Sequence, residues 1–317
     1  MPRSRDTKMG DQVLRTTGSR RSVLWRRHAG LLYFLPLLTL IAVFIAYPLF
    51  ETFRLSFLKV ALNGSEKFVG FDNYKAVIES PVVMQVLRNT IVWVIMNVSG
   101  LILGGLLVAL MMNRSFRGKG LFMVFMLLPW ATPVIAAVLS WVLIYDPLYG
   151  HLNAFLGSVG LMDPANAYSW LGNPRLALLG VSIARVWTGI PFCAFSILAA
   201  MLAIPPDLIR AARIDGGGSW QIFWKVTLQL IRPTLILLIV LTSIWSFNGF
   251  DLIFVMTGGG PAYSSEILVT NVYRNVFQYP RPGLASALSV IDFFILATAT
   301  ILFVWLSSKQ RTGGLRA

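Results

Sequence analysis

The 317-residue chain is 56% hydrophobic and only 13% charged. Soluble domains carry about a quarter of their residues as charged side chains, so this composition favours a membrane protein over one or two soluble domains. The net charge of +14 could suit nucleic acid, but the basic residues cluster beside apolar segments. That pattern is typical of the flanks of membrane spans and predicts no nucleic-acid partner. A single cysteine, Cys193, leaves no disulfide within the chain, and we expect it to be a small buried apolar residue.

The first segment, residues 1–28, is polar and basic and predicts a cytoplasmic tail. The apolar stretch after it, Ala29 to Phe50, is long enough to cross a bilayer at about 1.5 Å per residue. No small-residue cleavage site follows this stretch. The pattern therefore predicts a first membrane span rather than a signal peptide.

Five further apolar stretches have span length, so the sequence predicts six membrane helices within residues 29–307. The five are Val86–Met112, Leu121–Tyr145, Leu176–Leu202, Pro233–Met256 and Leu284–Leu306. A short tail, residues 308–317, follows them. The connections hold turn sequences such as NGS, DPLYG and TGGGP, and they predict caps over a helical bundle rather than separate domains.

The excess of lysine and arginine predicts the topology. It falls in the amino-terminal tail, in the connection Arg114–Lys119, in residues 203–232 and after Leu306. Basic residues concentrate on the cytoplasmic side of membrane proteins. We therefore expect an all-α protein of the inner, cytoplasmic membrane, with six transmembrane helices and both termini in the cytoplasm.

Residues 203–232 form a polar segment between the fourth and fifth predicted spans. Pro206 can occupy the first turn of a helix, where no amide is needed, and Asp207 complements the positive helix end. Gly216–Gly218 predict a tight turn, after which Ser219 is expected to cap a second helix through its hydroxyl. The residues alone leave two interpretations open: an amphipathic helix lying on the inner leaflet, or an element that docks another protein.

The sequence lacks the usual patterns of catalytic machinery. No phosphate loop of the form GxxxxGK[ST] occurs, and no cluster of His, Cys, Asp and Glu has metal-ligand spacing. The two histidines, His28 and His151, fall in the tail and in a predicted loop, which does not support a histidine-based nucleophile. We therefore expect no catalytic residues, no bound cofactor, no metal and no enzymatic activity in this chain.

The stretch RAARIDGGGSWQIFWKVTLQLIRP resembles the EAA loop, the signature of ABC importer permeases. That signature runs E-A-A, two residues, D-G-A, and then an apolar position and L-P. The matching residues are Ala211, Ala212, Asp215 and Gly216. The departures are Arg210, Gly217 and Gln229, which stand where Glu, Ala and Pro are usual.

Further motifs carry the same resemblance along residues 29–307. They are FVGFDNY, LPWATP, DPLYGHLN, LTSIWSFNGFDLIFVMTGGGP and LASALS, and they look like the carbohydrate-uptake permeases of the maltose and glycerol-phosphate type. The resemblance implies the ABC type I importer permease fold. It also implies a permease subunit that forms half of the pathway for a di- or oligosaccharide or a related polyol.

The resemblance implies partners as well. These are a second permease subunit in a heterodimer, two ATP-binding subunits that hold ATP-Mg, and a periplasmic or lipid-anchored solute-binding protein. Within residues 203–232, the loop Leu208–Val226 would couple the permease to the ATP-binding subunits. The coupling residues implied by the match are Arg210, Ala211, Ala212, Asp215, Gly216 and Gly217.

In the maltose permease, the solute cavity lies between the span before the signature loop and the span after it. Matching the W-x-G-x-P and F-N-x-F frames implies substrate-binding roles for Arg185, Thr188, Gly189, Phe192, Trp245, Ser246 and Gly249, with Asn248 and Asp251 beside the second set. Aromatic faces suit sugars, and Trp130, Trp187 and Trp245 fit that chemistry, although tryptophan is also common at membrane interfaces.

Arg185 lies in the middle of the fourth span, where a charge costs at least a few kcal/mol and must face the bundle or a wet cavity. Two roles stay open: contact with the solute, or an ion pair with Asp251 or Asp292 that locks helices together. An arginine there also allows glycerol-phosphate or another anionic solute as the alternative substrate. A secondary transporter would show more spans and a repeat, and a membrane enzyme would show a catalytic cluster.

Overall fold

The computed structural model describes residues 33–61, 63–163 and 167–313, so the predicted tail at 1–28 lies outside the described residues. The chain divides into two compact units, one ending at Glu51 and one beginning at Thr52. In the first unit, the described residues are helical and form most of helix α1, Tyr33–Ser56. Residues Ala42–Ala46 of that helix are a π-helical stretch.

Within the described residues, the regular structure of the second unit is helical apart from one short hairpin, which modifies the all-α prediction only slightly. In chain order its elements are β1 (Leu58–Val60), β2 (Glu66–Phe68), α2 (Asp72–Glu79), α3 (Pro81–Met112), α4 (Lys119–Ala131), α5 (Val134–Ile144), α6 (His151–Ser158), α7 (Ala177–Leu202), α8 (Pro206–Ile214), α9 (Ser219–Phe247), α10 (Phe250–Thr257), α11 (Leu268–Phe277) and α12 (Pro282–Gly313). The two strands are antiparallel, with Leu58 opposite Phe68.

Helices long and apolar enough to cross a membrane number five among the described residues, or six if the pair α4–α5 is counted as one span. The predicted span Leu121–Tyr145 is broken in the structure, where α4 and α5 meet at an angle of 97°. The break follows from proline chemistry. Thr132 precedes Pro133 and adopts an extended conformation with ψ 130°, since a residue before proline is disfavoured in the helical region.

The fifth predicted span, Pro233–Met256, also differs in the structure. Helix α9 begins at Ser219 and runs through Pro233 to Phe247, so the segment after the glycine turn and the span are one helix. The helix stops at Asn248 and Gly249, and the separate helix α10 follows. The last helix, α12, continues to Gly313, which is six residues beyond the predicted boundary at 307.

The central packing contact joins α3 and α7. One face of α3 is buried along its length through Val86, Thr90, Trp93, Asn97, Leu101, Gly105, Ala109 and Met112. Small residues bring the two helices close, as is common between membrane helices. A Cβ atom built on Gly105 would lie 2.6 Å from Cβ of Cys193 and 3.1 Å from the amide nitrogen of Ala194. This contact fixes α7 and confirms Cys193 as a fully buried apolar residue.

The loop between α10 and α11 is held by a buried ion pair. Glu266 is fully buried, and its Oε1 atom accepts from Arg274 Nε and Asn271 Nδ2, both at 3.0 Å. Asn89 of α3 donates to the backbone oxygens of Tyr263 and Glu266 at 2.7 and 3.1 Å. Burial raises the pKa of the Glu266 carboxyl, while Asn271 and Arg274 act to lower it.

Candidate functional site

A cavity of about 330 Å³ lies between α7 and α9. Two helix breaks border it, the one at Thr132–Pro133 between α4 and α5 and the one at Asn248–Gly249 between α9 and α10. The lining residues are Leu101, Pro129, Trp130, Thr132, Val134, Ala137, Val138, Trp141, Ala184, Arg185, Thr188, Gly189, Phe192, Cys193, Thr242, Trp245, Asn248, Gly249, Asp251 and Leu252. A cavity of this size at helix breaks is a typical solute site in membrane transporters.

Helix α7 contributes one face to the cavity. Arg185, Thr188, Gly189 and Phe192 follow the i, i+3, i+4, i+7 spacing that aligns side chains along a helix. Gly189 leaves the room that the arginine occupies. A Cβ atom built on it would lie 3.0 Å from a terminal nitrogen of Arg185 and 2.5 Å from Cδ2 of Leu101. The adjoining side of α7, which carries Cys193, is packed against α3, so the cavity wall stands on a well-packed element.

The charged groups of the cavity are not paired with each other. Arg185 is half-buried, and among the described residues it forms no ion pair or side-chain hydrogen bond. Asp251 lines the same cavity but is exposed, and no ion pair joins it to Arg185. The predicted alternative of an Arg185–Asp helix lock is therefore wrong for this conformation, both for Asp251 and for Asp292, whose Oδ1 is buried without a partner.

The polar groups of the cavity offer both hydrogen-bond acceptors and hydrogen-bond donors to a ligand. The hydroxyls of Thr132, Thr188 and Thr242 donate to carbonyl oxygens of their own helices, at 2.7 to 2.8 Å, so only their lone pairs face outward. The indole N–H groups of Trp130, Trp141 and Trp245 have no acceptor among the described residues.

Two aromatic rings bring the helices α7 and α9 together beside the cavity. Phe192 and Trp245 meet edge to face, with ring centroids 5.1 Å apart. This gives the cavity an aromatic wall with polar groups at its sides, an arrangement that suits a solute with apolar faces and polar edges.

The structure brings the predicted substrate-binding residues together with one exception. Arg185, Thr188, Gly189, Phe192, Trp245, Asn248, Gly249 and Asp251 line the cavity. Ser246 does not, because it follows Trp245 by about 100° around the helix and faces α3. Its side chain is fully buried, and its carbonyl accepts from Trp93 Nε1 at 2.9 Å.

Three cavity residues with hydrogen-bonding side chains were missed from the sequence: Thr132, Trp141 and Thr242. Thr132 and Trp141 reach the cavity only because α4 and α5 are bent relative to each other. The Thr-Pro dipeptide was the available signal for that bend. Trp187, which fits sugar chemistry by type, does not line the cavity and instead packs edge to face on Trp141.

The polar segment between α7 and α9 is a short helix followed by a glycine turn. Helix α8 starts with Pro206 in its first turn, as predicted. At its end, Gly216 has φ +82° and donates to the Arg213 carbonyl at 3.1 Å, while Gly217 donates to the Ala212 carbonyl at 2.9 Å. These two bonds form a Schellman motif, which satisfies the last carbonyl groups of the helix and requires the left-handed conformation at Gly216.

The predicted hydroxyl cap of the next helix was wrong. Ser219 is the first residue of α9 rather than its cap, and Gly218 occupies the cap position. Instead, the side-chain oxygen of Gln221 accepts a hydrogen bond from the Gly218 amide at 3.2 Å. A glutamine in the third helical position can satisfy this amide.

Two of the three departures from the EAA pattern have a structural role. Arg210 pairs with Asp207 one helix turn earlier, and both side chains are exposed. Gly217 sits where a Cβ atom would lie 2.7 Å from the Ala212 carbonyl oxygen and 3.3 Å from Cγ1 of Ile222. The turn is thus too tight here for the alanine that is usual in the signature. Gln229 is exposed, and nothing in the structure explains it.

Large apolar side chains of this segment are exposed in the isolated chain. Ile214 and Trp220 are 85% and 72% exposed, and Leu208 and Trp224 are about half exposed. Trp220 and Trp224 contact each other edge to face at 5.5 Å. An apolar patch on an otherwise polar segment indicates an interaction surface.

Comparison with known proteins places this fold and cavity in a family. The chain belongs to the family described as binding-protein-dependent transport system inner membrane component, which matches residues 97–312. It is 36% identical over 285 residues to the trehalose/maltose transport system permease protein MalF of Thermococcus litoralis, covering 89% of this chain and 94% of the relative.

Two further similarities are more distant. The chain is 29% identical over 282 residues to the sulfoquinovosyl glycerol transport system permease protein SmoG of Agrobacterium fabrum, covering 88% of this chain and 90% of the relative. Its fold matches a chain of a bacterial ABC transporter that imports the acidic polysaccharide alginate, with a TM-score of 0.79 at 22% identity, covering 90% of this chain and 99% of the other.

Family membership establishes the general class of the protein. It is a non-catalytic permease subunit of an ABC transporter and a multi-pass protein of the inner membrane, and its family works with a solute-binding protein. The type I importer permease fold predicted from the sequence is confirmed.

Proposed function

We propose that this chain forms half of the translocation pathway for a di- or oligosaccharide or a related polyol. An extracytoplasmic binding protein delivers the solute, and a second permease subunit supplies the other half of the pathway. Two ATP-binding subunits, which hold ATP-Mg, drive the cycle from the cytoplasmic side. Both termini of this chain and the segment 203–232 lie on that side, in accord with the distribution of basic residues.

The observation that carries the proposal is the cavity between α7 and α9. Its aromatic wall, Phe192 and Trp245, offers apolar faces for the C–H surfaces of a sugar ring. Asp251 and the threonine oxygens offer acceptors for hydroxyl groups. The relative from Thermococcus litoralis, which is named for trehalose and maltose transport, supports a saccharide as the solute.

The segment joining the two cavity helices is the coupling element. Arg210, Ala211, Ala212, Asp215, Gly216 and Gly217 lie on α8 and its turn. Because α8 leads through one tight turn into α9, a displacement of α8 by a docked ATP-binding subunit would move α9 and with it Trp245. Rigid-body movement of such an element would convert closure of the ATP-binding subunits into a change of access to the cavity.

Two substitutions test the coupling and the cavity separately. Ile214→Glu places a charge on the exposed apolar patch, where it should abolish retention of the ATP-binding subunit on affinity-purified permease and abolish uptake of labelled trehalose and maltose. Trp245→Ala removes the cavity wall, so uptake should fall while retention of the ATP-binding subunit is unchanged. Both readouts come from the same membranes, which contain the complete transporter.

Leu148→Glu is the matched control for the coupling test. Leu148 is 83% exposed, lies in the connection between α5 and α6, and should leave retention of the ATP-binding subunit at the wild-type level. Unchanged retention with Ile214→Glu would show that the patch lies on the lipid surface instead. Uptake that persists in cells without any ATP-binding subunit would contradict the proposed function as a whole.

A further inference from the structure

Arg185 is the only positively charged residue among the described residues that line the cavity. Its guanidinium has five N–H donors and no acidic partner among the described residues. An arginine at membrane depth costs at least a few kcal/mol unless a partner or water offsets it. A structural arginine would be expected to pair with an acid of the same bundle, and this one does not.

The negative charge in the cavity does not compensate for Arg185. Asp251 is exposed to solvent and forms no ion pair with Arg185, and the high dielectric constant of water weakens the attraction between a solvated carboxylate and the guanidinium. The remaining polar side chains near the arginine add no negative charge. The hydroxyl proton of Thr188 is donated to the Arg185 carbonyl at 2.8 Å, and the indole groups of Trp141 and Trp245 can only donate.

The geometry of α7 keeps the guanidinium in the cavity. Gly189, one turn along the helix, has no side chain, and a Cβ atom there would come within 3.0 Å of the arginine nitrogen. The amino end of α5 lies on the same cavity through Thr132 and Val134, and no side chain caps it. Uncapped amides at a helix amino end favour a negative charge, so both features act in the same direction.

We propose that the saccharide carried by this permease bears an anionic group, such as the carboxylate of a uronic acid, and that Arg185 binds it. This inference rests on the proposed function and specifies the solute class of the same cavity. A carboxylate matches the planar fork of the guanidinium with two parallel hydrogen bonds. Hydroxyl groups of a neutral sugar could accept single hydrogen bonds, but they would leave the buried positive charge uncompensated.

The test uses the assembled transporter in lipid nanodiscs and the fluorescence of the cavity tryptophans. Two probes are titrated: a disaccharide ending in glucuronic acid, and the neutral disaccharide in which glucose replaces that sugar. The acidic probe should bind at least about tenfold more tightly, which corresponds to about 1.4 kcal/mol. Arg185→Gln should remove this difference, and Arg185→Lys should retain part of it, because lysine keeps the charge without the fork.

The matched control is Arg175→Gln, the same substitution at an exposed arginine that does not line the cavity, and it should leave the preference for the acidic probe in place. Arg185→Gln removes an unpaired charge, so we expect the variant to fold. Equal binding of the two probes to the wild-type transporter would overturn the inference and leave the proposed function standing, as would a preference that survives in Arg185→Gln. Binding of neither probe would overturn the inference and the saccharide cavity together.

Discussion

Two turns of three consecutive glycines connect helices in this protein, and their surroundings differ completely. We call Gly216–Gly218 the exposed turn and Gly258–Gly260 the anchored turn. Gly216 and Gly259 have nearly the same left-handed φ, +82° and +83°. A Cβ atom on Gly216 would meet nothing within 4 Å, whereas one on Gly259 would lie 2.9 Å from Oε2 of Glu266 and 3.0 Å from a terminal nitrogen of Arg274.

The difference shows what tertiary contacts add to the same run of three glycines. The exposed turn is stabilised by local bonds alone, those of the Schellman motif and the Gln221 cap. The anchored turn is held by the buried ion pair, because Arg274 donates to the Gly258 carbonyl. The loop that follows the turn is held by two bonds from Asn89 of the distant helix α3 to the carbonyls of Tyr263 and Glu266. A turn built from local contacts can be displaced by a partner without loss of core packing, which suits a coupling element.

The largest expected effect is the difference in stability lost when the ion pair beside each turn is broken. Glu266→Ala leaves Arg274 partly buried without its partner, and breaking such a pair should lower the free energy of unfolding by about 3–5 kcal/mol. Asp207→Ala breaks the exposed pair with Arg210 and should cost less than about 1 kcal/mol. Thermal unfolding of the purified permease in detergent measures both. Similar losses for the two variants would contradict the comparison.

The second prediction compares the glycines themselves. Gly216→Ala should cost about 1–2 kcal/mol, because only the left-handed backbone conformation is disfavoured. Gly259→Ala carries that cost and also displaces Glu266 or Arg274, which should add about 1–3 kcal/mol. Gly64→Ala is a further control, since Gly64 has φ +78° and nothing within 4 Å of a built Cβ atom. The unfolding temperature should therefore be lowest for Gly259→Ala. It should be higher, and nearly equal, for Gly216→Ala and Gly64→Ala.

A smaller effect is expected from the side chains that bond to the turn backbones. Asn89→Ala leaves two carbonyl oxygens of the anchored turn region without their donor, which should cost about 1–3 kcal/mol. Gln221→Ala frees one exposed amide that water can satisfy, and it should cost about 0.5 kcal/mol. Hydrogen exchange of the amides in residues 258–266 should speed up with Asn89→Ala and stay unchanged with Gln221→Ala.

The smallest prediction concerns pH. Because burial raises the pKa of Glu266 above its ordinary value of 4.5, the folded state binds this proton more tightly than the unfolded state does. The resulting stability is complete below the unfolded pKa and is lost as the pH rises through the folded pKa. Lowering the pH from neutral towards 4.5 should therefore raise the unfolding temperature of wild-type protein slightly more than that of Glu266→Gln. An opposite slope would mean that Arg274 lowers the pKa of Glu266 by more than burial raises it.

Features that depend on local chemistry could be predicted from the sequence. Membrane spans follow from the length of apolar stretches, and the start of α8 follows from a proline that needs no amide. The end of α8 follows from Gly216, because the left-handed conformation that closes a helix favours glycine. The face of α7 that carries Arg185, Thr188 and Phe192 follows from helical periodicity together with the family resemblance.

Features that depend on contacts between residues far apart in the chain could not be predicted from the sequence. Adjacent residues on α9 show this, since Trp245 lines the cavity and Ser246 packs against α3. Only the crossing of α3 and α9 decides which of the two faces the cavity. Whether Arg185 has an acidic partner likewise depends on where the tertiary structure places the acidic residues of other helices. The two glycine triplets read alike in the sequence, because a run of glycines encodes backbone freedom alone. Tertiary packing of helices far apart in the chain buries Glu266 and Arg274 beside the anchored turn. The same packing leaves the exposed turn in solvent.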